Sequence, residues 1–140
     1  MSEKISKSLR AEVEKRAGSR CEYCKLPQTF HIIPFQIDHV ISLKHDGKTV
    51  KENLALACLS CNLYKGTDIA SIAPHSSDIV GLFNPRIHNW QEHFDLHLAS
   101  GRIEGKTPEG KATVALLKFN SEERILERLH LVELGEYLPV

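Results

Sequence analysis

Two features of this chain have residue types and spacing suited to chemistry. All four cysteines fall in two CxxC pairs, CEYC (Cys21, Cys24) and CLSC (Cys58, Cys61). Between the pairs lies QIDHVISL (36–43), where Asp38 and His39 sit side by side in a largely apolar run. Two CxxC pairs can present four thiolates to one ion, the tetrahedral set that structural zinc prefers. Such a site has no open position, so its ion holds the fold and performs no chemistry. Disulfides are the plain alternative, disfavoured where thiols are kept reduced. A redox CxxC would need only one pair. The Asp-His pair poses the sharper question, because charged residues are rarely tolerated in a strand-like apolar run without a partner. Its ordinary explanation is a solvated strand end.

Residues 25–57 separate the two cysteine pairs. Compact zinc ribbons leave about 15–20 residues there, so this interval must hold structure of its own. It contains Asp38-His39, a turn at His45-Asp46-Gly47, and Asn53, while Asn62 and Lys65 follow the second pair. An ion on the four sulfurs would therefore anchor the base of a hairpin and the start of a helix. Adjacent residues on a regular strand point to opposite faces. Asp38 and His39 can serve one site only if the strand ends or distorts at that point. Asn62 and Lys65 are three apart and share a helix face. Lys65 is placed to meet a phosphate near that helix's N-terminus, or is an ordinary solvated lysine. The ordinary role of Asn62 would be a helix cap.

Composition bounds the remaining choices. A chain of 140 residues with 41% hydrophobic and 26% charged residues reads as one soluble domain with a single core. The apolar runs fall far short of the roughly 18 residues of a membrane span. The charged N-terminus lacks the apolar stretch of a signal peptide, and a cytoplasmic location is expected. Formal net charge is zero, which argues against strong non-specific nucleic-acid affinity from charge alone but leaves room for a local basic patch. Eight histidines are many for this length. His31 and His45 are expected at the surface. His93 and His97 could flank a second metal, although a wet strand face explains their spacing. His75, His88 and His130 have no assigned role.

The elements that must position these residues can be read in outline. Ile5, Leu9, Val13 and Ala17 recur every four residues and predict an amphipathic helix over 3–17, ended by Gly18. Residues 73–86 are rich in turn formers and read as an extended connection. From Trp90 the pattern has period two, with Trp90, Phe94, Leu96 and Leu98 on one face and His93, Asp95 and His97 on the other. Ser100-Gly101 reads as a turn into a second strand, Arg102 to Lys106. Thr107-Pro108 starts a helix running to Phe119. Asn120 to Glu123 has the form of a cap for a last helix closed by Gly135.

Taken in order, RCEYC (20–24), DHVISL (38–43), ENLALAC (52–58) and CNLYKG (61–66) resemble the HNH endonuclease family, whose core is two strands and a helix around one catalytic metal. LFNPR, NWQEHF and EGKATV are similar to an extension found in one bacterial branch of that family. The expected fold is thus α+β: a zinc-clipped ββα-metal core over about 18–68, preceded by a helix and followed by a hairpin-plus-helices extension over about 69–140, in a single domain 1–140. By resemblance, His39 is the general base, and a histidine near neutral pH can act as one. Asp38 would bind the metal, and Asn53 would brace the loop and orient the base. Asn62 takes the third position, where many members have a second histidine. A carboxylate with an amide oxygen makes a hard site that favours Mg²⁺ or Mn²⁺ over zinc or nickel.

The resemblance implies hydrolysis of DNA phosphodiester bonds, leaving a 3′-hydroxyl and a 5′-phosphate. It also implies DNA as partner, with weak sequence preference unless added elements read bases. Two other readings stay open. One is a non-catalytic zinc-stabilised nucleic-acid-binding module, which gives no reason for Asp38, His39, Asn53 and Asn62 to occur together. The other is a nuclease-fold subunit of a homo-oligomer or a larger nucleoprotein assembly.

Overall fold

The structure, a computed structural model, describes residues 4–29 and 31–137. They fall into two compact units: Met1–Ile69 with Asn84–Arg86, and Ala70–Phe83 with Ile87–Val140. Both mix helices with two-stranded antiparallel sheets, so the α+β expectation holds. No helix among the described residues is long and apolar enough to cross a membrane.

The first unit begins with helix α1 (Lys7–Arg16), shorter at its start than the periodicity predicts. Ser6 sets the boundary, because its Oγ accepts the Leu9 N–H and satisfies one of the helix's orphan donors. Glu3, the first residue of the predicted helix, lies outside the described residues. Gly18 takes a left-handed conformation (φ +63°) just past the end. Val13 is fully buried, while Arg16 donates to the carbonyl oxygens of Lys51 and Leu54. Strand β1 (Gln36–His39) pairs antiparallel with β2 (Leu54–Ala57), with His39 opposite Leu54 and Gln36 opposite Ala57. All four residues of β2 are buried. Its other edge is closed by Glu22, whose N–H donates to Leu56 O (2.8 Å) and whose Oε2 accepts from Leu56 N (2.9 Å). Arg86 forms an ion pair with the second oxygen of Glu22. Helix α2 (Leu59–Lys65) follows β2 directly, with Cys58 as its N-cap.

The second unit is built around aromatic rings. Phe94 is central, with ring centroids of Trp90, Phe83 and Phe119 at 5.0, 5.1 and 5.7 Å. Strands β3 (Ala70–Ile72) and β4 (Ile79–Gly81) form a hairpin where the sequence reads only an extended connection from residue 73. Residues 90–93 form the one-turn helix α3 (Trp90–His93), capped by Asn89, and strand β5 (Phe94–His97) starts only afterwards. The strand expected from Trp90 is therefore corrected at its start. A spacing of four serves one helical turn as well as alternate strand positions, so Trp90 and Phe94 share a side either way. β5 pairs with β6 (Arg102–Gly105) across the expected turn. Helix α4 (Pro108–Leu116) is capped by Thr107, and α5 (Glu122–Glu133) by Ser121 in position. Asn120 is used differently: its amide pairs with both N–H and C=O of Ile103, like a strand neighbour.

Candidate active site

The cysteine cluster is set by two local turns that each carry one N–H to sulfur contact. Cys24 N–H points at Cys21 Sγ and Cys61 N–H at Cys58 Sγ, each at 3.4 Å. The first turn closes with Lys25 in the left-handed region (φ +67°), and the second with Cys58 capping α2. The four sulfurs all lie within 4.8 Å of one another, and all four residues are buried. Zinc–sulfur bonds of about 2.3 Å put tetrahedrally arranged sulfurs about 3.8 Å apart, and Cys24 Sγ to Cys58 Sγ is 3.7 Å. No disulfide joins them. Contact with the Cys21 and Cys24 thiols pushes the Cys58 thiol pKa up, and burial does the same for Cys61. Four thiolates can share this volume only around a cation. The donor set therefore fits a closed, structural zinc-type site.

The Asp-His pair lies at the end of β1. Strand pairing stops at His39, after which Val40 N–H turns to Asn53 O at 2.9 Å. The strand ends where the geometry required, and Asp38 and His39 line the same open cleft, of about 770 Å³, together with Asn62, Lys44, Gly66 and Thr67. Asp38 is 4% exposed. Tyr23 Oη donates to its Oδ2 at 2.6 Å, and Lys65 Nζ approaches Oδ2 at 3.1 Å and Oδ1 at 3.4 Å. Burial raises the carboxyl's pKa, with Lys65 and the Tyr23 hydrogen bond pulling the other way. Burial also pushes the Tyr23 hydroxyl pKa well up, so the phenol is a donor to the acid.

His39 is half-buried, and its Nε2 lies 2.9 Å from Thr49 Oγ1. Thr49 stands on the loop that Asn53 ties together. Asn53 Oδ1 accepts from Ile41 N–H, and its Nδ2 donates to the carbonyls of Ile41 and Lys48, all at 2.9 Å. The turn expected at His45-Asp46-Gly47 is present, with Asp46 at φ +64°. Gly47 is obligatory in this packing, because a Cβ there would sit 1.6 Å from Ile41 O and 2.9 Å from Asn53 Nδ2. Asn53 is thus a brace of the loop and does not line the cleft.

Asn62 lies inside α2, with Cys58 in the cap position, so it is not a helix cap. Its side-chain amide has no hydrogen-bond partner among the described residues and borders the cleft beside Asp38 and His39. Lys65 departs from both sequence expectations, the phosphate contact and the solvated lysine. It is 2% exposed, and its ammonium also contacts His39 O (3.2 Å) and Val40 O (3.1 Å). A cation so enclosed neutralises Asp38 and pins the strand end, since an isolated buried charge is costly; it is not a surface phosphate contact. The exposed cation bordering the cleft is Lys44, which no spacing in the sequence singles out. Nor does any spacing mark Tyr23 or Thr49.

The other histidines do not build a second metal centre among the described residues. His93 Nδ1 lies 2.6 Å from Thr107 Oγ1, whereas His97 Nε2 pairs with Glu104 on an exposed strand face. Among the described residues, the four cysteines alone form a metal-competent group of three or more such side chains. His45 and His75 are exposed.

Compared with known proteins, residues 21–68 match the family model described as HNH endonuclease. The matched range contains both cysteine pairs and every cleft residue named above. No curated protein and no solved structure matched the chain.

Proposed function

We propose that this chain, which carries an HNH domain at residues 21–68, is a metal-dependent endonuclease that hydrolyses DNA phosphodiester bonds. The observation that carries this reading is the convergence of Asp38, His39 and Asn62 on one cleft within a nuclease-type fold. Asp38 and Asn62 would hold the catalytic ion through oxygen atoms, a donor set suited to Mg²⁺ or Mn²⁺. Asn62 fits because its amide has no hydrogen-bond partner among the described residues; Asp38 fits because, among those residues, Oδ1 keeps the longer Lys65 contact. When bound, the ion supplies charge stabilisation at the phosphate and its leaving oxygen.

The remaining work belongs to the chain. His39 accepts a proton from the attacking water. Its Nε2 is engaged by Thr49, so Nδ1 is the nitrogen for that task when Nε2 carries the hydrogen and donates it to Thr49 Oγ1. Asn53 fixes the loop bearing Thr49 and so holds the ring's direction. Lys44 is the exposed cation beside the cleft and suits a phosphate of the DNA strand. The zinc-type cluster ties the CEYC turn to the start of α2 and takes no part in the reaction.

The test is nicking of supercoiled plasmid with Mg²⁺ or Mn²⁺, wild type against His39→Ala. Loss of a general base costs about 10²–10⁴-fold in rate, and the variant should stay folded. Cleavage at the wild-type rate by His39→Ala would falsify the assignment. No metal-dependent nicking by the wild type would favour the non-catalytic binding module.

A further inference from the structure

Tyr23 is the third residue of CEYC, between two members of the thiolate cluster. Its side chain is buried (1% exposed), and its hydroxyl reaches across to Asp38 Oδ2 at 2.6 Å. Lys65 Nζ is also nearer to Oδ2 (3.1 Å) than to Oδ1 (3.4 Å). Two donors thus converge on one carboxylate oxygen and leave the other with the weaker hold. The terminal torsion of an aspartate is soft, and anchoring one oxygen fixes the plane of the other.

We infer that Tyr23 is a positioning residue for the catalytic metal site, through which the cysteine cluster sets the orientation of Asp38. The inference rests on the reading of Asp38 as a metal ligand. The backbone on either side of Tyr23 is held by the turn that carries the first cysteine pair. Cys24 N–H meets Cys21 Sγ, Cys21 N–H meets Leu26 O (2.8 Å), and Lys25 N–H meets Cys21 O (2.9 Å). With its backbone held and its ring buried, the phenol offers Asp38 a donor in a fixed place. Packing alone would be served by phenylalanine, so the hydroxyl is the atom under test.

The experiment compares full-length wild type, Tyr23→Phe, Asp38→Asn and the double variant, each loaded with one zinc. Mn²⁺ binding is followed by the paramagnetic resonance signal of free Mn²⁺, beside the Mn²⁺ dependence of plasmid nicking. Outer-shell partners of metal ligands typically contribute about 10–100-fold in affinity. Tyr23→Phe should keep zinc and melting temperature, weaken Mn²⁺ binding by about tenfold, and recover most of its nicking rate at saturating Mn²⁺. In the Asp38→Asn background the same change should cost nothing further. Wild-type binding with an unchanged Tyr23→Phe titration overturns this inference alone, as does an equal loss in both backgrounds. No Mn²⁺ binding by the wild type beyond its zinc site overturns the metal-ligand reading and this inference with it.

Discussion

The cysteine cluster and the cleft lie a few residues apart along the same segment, yet they treat polar groups in opposite ways. At the cluster, four like ligands are buried together and two backbone N–H groups complete the shell. At the cleft, one acid is buried with an internal cation, one histidine is half-buried, and one amide is left without a partner among the described residues. The contrast is between a closed shell of like ligands and a half-buried cleft whose groups are held one by one. A closed shell gains from rigidity. An open one needs groups held firmly by their far ends and free at the near end, as His39 is held by Thr49 and Asp38 by Tyr23.

The comparison breaks most sharply if the cluster is removed. Cys58→Ser, or a strong zinc chelator, should unfold the segment around residues 21–68, since structural zinc binding is worth roughly 10–16 kcal/mol in small modules. Cys58 follows β2 directly and caps α2, so loss of its sulfur frees the helix bearing Asn62 and loosens the strand that follows Asn53. Circular dichroism with zinc analysis would check this. A metal-free chain that keeps its fold and its nicking activity would show that the cluster is not structural.

A smaller effect sharpens the comparison from the cleft side. Asn62→Ala should weaken the catalytic ion and slow nicking by about 10–100-fold, the scale on which changes around a metal site act, without loss of zinc from neighbouring Cys61. Asn62→His would supply an imidazole nitrogen and should move the metal preference towards Ni²⁺, Co²⁺ or Zn²⁺. Metal-dependence curves for the two variants decide the matter. If neither curve departs from wild type, the Asn62 amide is a surface group and not a ligand.

How much of this is legible in the sequence depends on the range over which each signal acts. The cysteine pairs are legible because spacing survives in sequence, and the strand end at Asp38-His39 follows from strand geometry, whereas a bracing role for Asn53 is implied only by the family resemblance. Lys65 is misread there because lysines normally carry their charge to water; only the fold puts two carbonyls and a carboxylate around its ammonium. Tyr23 reaches Asp38 across fifteen positions, which no local pattern encodes. The β3–β4 hairpin is hidden because its strands are short and no residue in either is fully buried, so they lack an alternating apolar signature. Trp90 reads as a strand residue because a four-residue interval suits both periods.

The subtlest prediction concerns Thr49, which holds the base without touching the rest of the proposed chemistry. Its hydroxyl is the hydrogen-bond partner of His39 Nε2, and it stands on the loop that Asn53 and Gly47 shape. Thr49→Val keeps the branched shape and removes only the hydroxyl. A typical intramolecular hydrogen bond is worth about 0.5–1.5 kcal/mol net, so nicking should slow by about two- to tenfold. Thr49→Ser retains an oxygen and should stay near the wild-type rate. The decisive readout is the single-turnover nicking rate of the two variants side by side. If Thr49 fixes which nitrogen of His39 carries the hydrogen, the valine variant should be slowed and the serine variant should not. Equal wild-type rates for both would mean that the ring is positioned by packing in the cleft wall and not by the Thr49 hydrogen bond.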